Sequence, residues 1–120
     1  MLDHISIYVT DYKKSKEIYL KALQPLGYEL LMEFGEIAGL GADKKADLWI
    51  SKAEHVKPTH LAFRAKNRQM VDEFYKAALA AGAKDNGAPG LRTNYHKDYY
   101  GAFVLDPDGN NFEAVCHEAE

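Results

Sequence analysis

Residues 2–27, LDHISIYVTDYKKSKEIYLKALQPLG, and residues 59–82, THLAFRAKNRQMVDEFYKAALAAG, are two versions of one pattern. Set residue n beside residue n+56: His4 meets His60, Glu17 meets Glu73, Tyr19 meets Tyr75, Ala22 meets Ala78 and Leu23 meets Leu79. Ile18 meets Phe74, and with a slip of one residue Gly27 meets Gly82. Self-similarity at a fixed spacing marks a duplicated supersecondary unit. Here it also sets an imidazole at the matching point of each copy.

Within 2–9 the chain alternates. Leu2, His4, Ser6 and Tyr8 share one face of a strand, and Ile5, Ile7 and Val9 share the other. The second set is a core face; the first, polar with one aromatic, suits a cavity wall. Thr10 or Asp11 can cap a helix over 15–26, whose Ile18, Tyr19, Ala22, Leu23 and Leu26 fall at helical spacing; Pro25 and Gly27 close it. Strands follow at 28–34, 37–41 and 47–51. The second copy repeats the order: a strand at 59–65, a helix at 68–81 stopped by Gly82, a short strand plus loop in 83–92, and strands at 99–105 and 111–117. Asp106-Pro107-Asp108-Gly109-Asn110 is a tight turn between the last two. The expectation is an α+β domain of eight strands and two helices over residues 1–120. It divides into a first βαβββ module at 1–53 and a second at 57–120.

A chain of 120 residues buries about two-thirds of its unfolded surface, enough for a core without staples. Fifteen basic against eighteen acidic residues give a net charge of −3 with no basic run. Nothing favours nucleic acid or an anionic membrane. The single cysteine, Cys116, excludes an internal disulfide and suits a reducing compartment. No charged segment precedes an apolar signal core, and no apolar stretch nears the ~20 residues that span a bilayer. The reading is a soluble cytoplasmic protein.

His4 and His60 are the first candidates for chemistry. A pseudo-twofold axis relating the copies would set their opening strands side by side, with both imidazoles in one cleft. Neutral imidazole ligates zinc, nickel, iron or manganese; alternatively each histidine is a polar residue on a half-buried strand. Glu113 is the third. Alternation puts Asn111, Glu113, Val115 and His117 on one face of the closing strand. A carboxylate there is costly to bury unless it is paired or metal-bound, its other reading being a partly exposed edge charge. Two histidines and one carboxylate form a facial triad with open coordination positions. His117 lies about 13 Å along the strand from Glu113, too far to share an ion with it. Trp49 stands in the strand that answers the Glu113 strand, roughly where a fourth ligand would enter. An indole cannot ligate, so it would wall the pocket and stack on a substrate. Arg64, two residues beyond His60, would favour an anionic or carbonyl-bearing substrate. Tyr8, Arg92, Tyr95, His96, Tyr99 and Tyr100 complete a polar, aromatic lining.

Leu2-Asp3-His4-Ile5, Thr59-His60-Leu61-Ala62-Phe63 and Asp106-Pro107-Asp108-Gly109-Asn110-Asn111-Phe112-Glu113 resemble the vicinal-oxygen-chelate superfamily, which holds glyoxalase I, bleomycin-resistance proteins, fosfomycin-resistance enzymes and extradiol dioxygenases. The resemblance spans nearly the whole chain. It implies two βαβββ modules paired into a curled, incomplete barrel around a divalent metal. His4, His60 and Glu113 match the ligand positions, with zinc first and nickel, manganese or iron as alternatives. Glyoxalase I generally adds a carboxylate ligand near Trp49, and its absence argues against that activity. The resemblance also implies a homodimer. The functional expectation is a metal-dependent lyase, transferase or dioxygenase acting on a small oxygen-rich molecule. Its alternative is a metal-free protein that binds or sequesters small molecules.

Overall fold

Alternation in the opening stretch produces a short strand, and helical spacing after it produces the helix that covers it. In the computed structural model, which describes residues 1–119, β1 is Ile5–Val9, with Ile7 and Val9 buried while Ser6 and Tyr8 stay exposed. Helix α1, Tyr12–Leu23, starts earlier than its apolar spacing suggests, because Asp11 caps it: the carboxylate accepts the Lys14 N–H at 3.2 Å. It also stops earlier, since Pro25 has no N–H to continue the ladder. A 3₁₀ turn at Gln24–Leu26 follows, and Gly27 closes it at φ +90°. The second helix, α2, is Arg68–Ala81, as its spacing predicts, capped by the Asn67 side chain and ended by Gly82 at φ +115°.

The first module completes itself with β2 (Glu29–Phe34), β3 (Ile37–Gly41) and β4 (Leu48–Lys52). Its sheet runs β1-β4-β3-β2, with β1 and β4 parallel. The second module holds β5 (His60–Arg64), β6 (Lys84–Asp85), β7 (Gly90–Leu91), β8 (Tyr100–Leu105) and β9 (Asn111–Cys116). Its sheet runs β5-β9-β8-β6, with β7 also on β8. The described residues thus form nine strands, one more than expected. The glycine-rich stretch after α2 contributes two short strands that both pair with β8.

One expectation is corrected. β1 and β5 do not lie side by side in a common sheet. Each ends the strand order of its own sheet, and the two sheets are separate. What joins the modules is the opposite side, where α1 packs on α2 and one apolar cluster draws on both copies. At its centre Phe112 of β9 meets Tyr19 at 4.3 Å and Phe74 edge-on at 5.6 Å.

A buried polar node reinforces the joint. Asp106 is 3% exposed and Asn110 is 1% exposed. Asp106 accepts the Asp108 and Asn110 N–H groups, each at 2.9 Å, the Asn110 side-chain amide at 2.8 Å, and the Tyr19 hydroxyl at 2.8 Å. The Asn110 amide also reaches the Tyr8 carbonyl at 3.3 Å, and Thr10 donates through its N–H and hydroxyl to Asp108. The turn before β9 is therefore bonded to β1 and α1 of the other module.

Burial, together with the neighbouring Asp106 charge, holds the Tyr19 phenol well above its ordinary pKa. Its folded value exceeds its unfolded one, so its contribution is fully present below about pH 10 and fades as pH rises further. Tyr19→Phe should lower unfolding free energy by about 1–3 kcal/mol at pH 7. It should also flatten the alkaline fall in stability. Urea titrations at neutral and alkaline pH check this, and an unchanged alkaline slope in the variant refutes it.

Candidate functional site

Strand register settles which residues of the two copies are equivalent. In module one Ser6 pairs with Trp49; in module two Ala62 pairs with Glu113. Ser6 and Ala62 are related by the same repeat that relates His4 to His60, so Trp49 and Glu113 occupy one structural position. The expected equivalence holds at residue resolution.

On the second sheet, alternation sends Leu61 and Phe63 toward the helices and leaves His60, Ala62 and Arg64 exposed on the other face. Glu113 shares that outer face but is 1% exposed. It sits mid-sheet, since β9 runs between β5 and β8, so the edge-charge reading is ruled out. A carboxylate so enclosed needs partners, and it has two. His60 Nε2 lies 2.6 Å from Oε1, and the Tyr99 hydroxyl donates to Oε2 at 2.5 Å. Burial first, then the bond to Glu113, raises the Tyr99 phenol above its ordinary range. Gly101 makes room for this: a Cβ there would lie 3.0 Å from the Tyr99 ring and 3.6 Å from Glu113 Oε2. The His60 side chain stays 54% exposed, so the pair is enclosed at the carboxylate and open at the imidazole.

His4 lies apart from this pair. Its Nδ1 is 2.7 Å from Asp3 Oδ1, and Asp3 also accepts Lys45 Nζ at 2.8 Å. Lys45 first, then His4, holds the Asp3 carboxyl below its usual range. Among the described residues no three His, Cys, Asp or Glu side chains gather closely enough to hold a metal ion. One chain therefore brings together His60 and Glu113 but does not add His4. The reason is the sheet order: His60 opens β5 and His4 immediately precedes β1, and these strands are edges of separate sheets.

His4 instead rims a hollow of about 330 Å³ on module one, with Ser6, Phe34, Ile37, Trp49 and Ser51. Trp49 lies flat over Gly39, whose missing Cβ would fall 2.8 Å from the indole. Phe34 stands 6.0 Å away, ring to ring. Tyr8, the repeat partner of Arg64, is exposed on this same face.

The remaining lining residues divide. The Arg92 guanidinium sits 5.4 Å above the Phe103 ring, itself a neighbour of His60, and donates to the Ala88 carbonyl. Tyr95 is 62% exposed and meets Tyr99 edge-on at 5.1 Å. His96 takes the Asp98 N–H on Nδ1 and packs against His117. Tyr100 is a correction. It faces the helices, giving its hydroxyl to Asp72 at 2.6 Å beneath the Arg68 guanidinium. Neighbouring strand residues point to opposite faces, so Tyr99 and Tyr100 could not both line the site.

The model of the glyoxalase/bleomycin resistance protein/dioxygenase superfamily matches residues 1–114. The chain belongs to that superfamily. Solved structures agree. A glyoxalase/bleomycin resistance protein from Albidiferax ferrireducens T118 shares 25% identity at a TM-score of 0.84, covering 97% of this chain and 98% of its own. A glyoxalase/bleomycin resistance protein/dioxygenase family enzyme from Burkholderia phytofirmans PsJN gives 23% identity and a TM-score of 0.73, with the same coverages. An oxidase, ChaP-H1, gives 22% and 0.71, covering 97% of this chain and 94% of that one. None of the curated proteins matches.

The two sheets of this chain form no closed barrel. No helix of the described residues is long and apolar enough to cross a membrane. The residues undervalued in the sequence are Tyr99, Gly101 and Phe103, which share the Glu113 face; their common parity along one strand was the available signal. Because Tyr100 belongs to the other face, Tyr100→Phe should leave the His60 ring resonances of the folded protein unmoved. It should cost about 0.5–1.5 kcal/mol of stability. Nuclear magnetic resonance and urea unfolding measure the two, and a clear shift of the His60 ring signals would return Tyr100 to the site.

Proposed function

We propose that this superfamily member is a divalent-metal-dependent enzyme acting on a small, oxygen-rich molecule, and that it works as a homodimer. The observation that carries the reading is Glu113, enclosed to 1% exposure and bonded to an imidazole that opens to solvent. An enclosed carboxylate beside a histidine makes two of the three donors of a facial set. One chain supplies those two together. The third is a matching histidine, His4, just ahead of edge strand β1 and beside a hollow that a second copy can face. A homodimer that sets the His4 face of one protomer against the His60 face of its partner completes the set of His4, His60 and Glu113.

In that arrangement the residues of this chain have distinct tasks. His60, Glu113 and His4 hold the ion, with zinc first and nickel, manganese or iron as alternatives. When bound, the ion supplies Lewis acidity to a substrate oxygen. Trp49 and Phe34 wall the cleft and exclude water. Arg64 and Arg92 draw an anionic or carbonyl oxygen toward the ligands, and Tyr8, Tyr95 and His96 rim the opening. Trp49 stands where a second carboxylate would be, so the site offers three protein ligands. The lone buried Cys116 fits a reducing, cytoplasmic setting.

A second reading, a metal-free binding protein, draws on a specific observation. His60, Glu113 and Tyr99 already satisfy one another, and the facing module offers exposed aromatic surface in Tyr8 and Phe34. Elemental analysis of protein purified without a histidine tag separates the two. One metal per chain supports the enzyme; none supports the binder. His60→Ala should lose the metal while circular dichroism stays unchanged, and full metal content in that variant removes His60 from the site. Mixing His4→Ala with Glu113→Gln protein in equal amounts should restore metal to about a quarter of the sites, because half the dimers are mixed and each mixed dimer rebuilds one of its two sets; no restoration refutes the shared site.

A further inference from the structure

We propose that Tyr99 is the positioning residue of the site: it fixes the Glu113 carboxylate so that Oε1 alone is presented to His60 and to whatever cation joins it. The inference deepens the metal-site reading above and rests on it for its first readout only.

The geometry is specific. Glu113 has two oxygens in different environments, Oε1 at 2.6 Å from His60 Nε2 and Oε2 at 2.5 Å from the Tyr99 hydroxyl. A carboxylate can turn about its last bond, and without a second anchor either oxygen could face the imidazole, or both could chelate an ion. Tyr99 removes that freedom. The phenol is itself held. Its ring meets Tyr95 edge-on at 5.1 Å and His117 edge-on at 5.3 Å. Its backbone is pinned by the Arg92 N–H bonded to the Tyr99 carbonyl at 2.7 Å and the Tyr99 N–H bonded to the His96 carbonyl at 3.1 Å. Gly101 leaves the path between ring and carboxylate clear. The first copy has nothing comparable, because there Trp49 replaces the carboxylate and needs no orienting donor. Groups that hydrogen-bond to metal ligands commonly change metal affinity 10–100-fold when removed, although they touch no metal.

The test uses the full chain as Tyr99→Phe, which keeps the ring packing on Tyr95 and His117 and deletes only the donor. Two readouts are taken. The first is the dissociation constant for zinc or manganese, by competition with a chromophoric chelator; a loss of about 10–100-fold is expected. The second is the ¹⁵N chemical-shift pattern of the His60 ring in metal-free protein. In the variant that pattern should differ from the parent's, because the freed carboxylate can offer either oxygen to the imidazole. An altered ring pattern with weakened metal binding supports the proposal. An altered ring pattern in a parent that takes no metal also supports it, and overturns instead the metal reading. An unchanged ring pattern, or a metal affinity within twofold of a metal-binding parent, overturns the role given to Tyr99. Tyr99→Leu serves as the packing control: if it matches Tyr99→Phe in both readouts the hydroxyl is responsible, and if only Tyr99→Leu has an effect the ring is, and the proposal fails.

Discussion

The Asp106 carboxylate is the constraint on which the molecule turns. It is enclosed, and it gathers four donors from its own turn and from α1 of the other module. Such a group is expensive to bury unless every lone pair is met. Meeting them all requires the β8–β9 turn and the middle of α1 to keep one mutual arrangement, and Asn110 ties the same turn to the Tyr8 carbonyl of β1. Strand β9 starts directly from that turn, and Glu113 is carried on it. The position of the Glu113 carboxylate is thus inherited from a structural one seven residues earlier in the chain.

Duplication gave two sheets with the same inner face and unlike outer ones. Toward the helices both copies present aliphatic and aromatic side chains that merge in a single cluster. Outward they diverge. At one position the second copy holds a carboxylate and the first an indole. The outer faces differ in what they need as well. Glu113 demands hydrogen-bond donors and receives His60 and Tyr99. Trp49 demands only a flat seat and receives Gly39. At one register position the two outer faces thus carry a carboxylate with its donors and an indole on its glycine seat.

Much of this was legible in the sequence, and the boundary of legibility has a physical origin. The repeat, the limits of α2 and the faces of β1, β5 and β9 follow from local periodicity, which side-chain direction alone determines. The early start of α1 was missed although Asp11 was a candidate cap, because the helical apolar spacing begins only at Ile18. The two short strands in 83–92 were hidden because two-residue strands carry no alternation; they exist only through pairing with β8. The relation between modules was misread for a deeper reason. The same amphipathic pattern permits joining by strand edges or by helix faces, and only the long-range packing of α1 on α2 distinguishes them. Tyr100 was a smaller error of the same origin: polar aromatic character suggested a lining, while parity along β8 assigns it to the helices.

The repeat spacing itself changes along the chain. It is 56 residues between His4 and His60 but 64 between Trp49 and Glu113, so the second copy is longer by eight residues between its helix and its last strands. That surplus lies in the region of Arg92, Tyr95, His96 and Tyr99, the loop that reaches over the carboxylate. The asymmetry of length is confined to one connection, so the two halves share a framework but only the second carries this loop beside its carboxylate. Loops of this kind evolve faster than the scaffold that carries them, so relatives with the same framework can diverge in what they accept by altering this one connection alone.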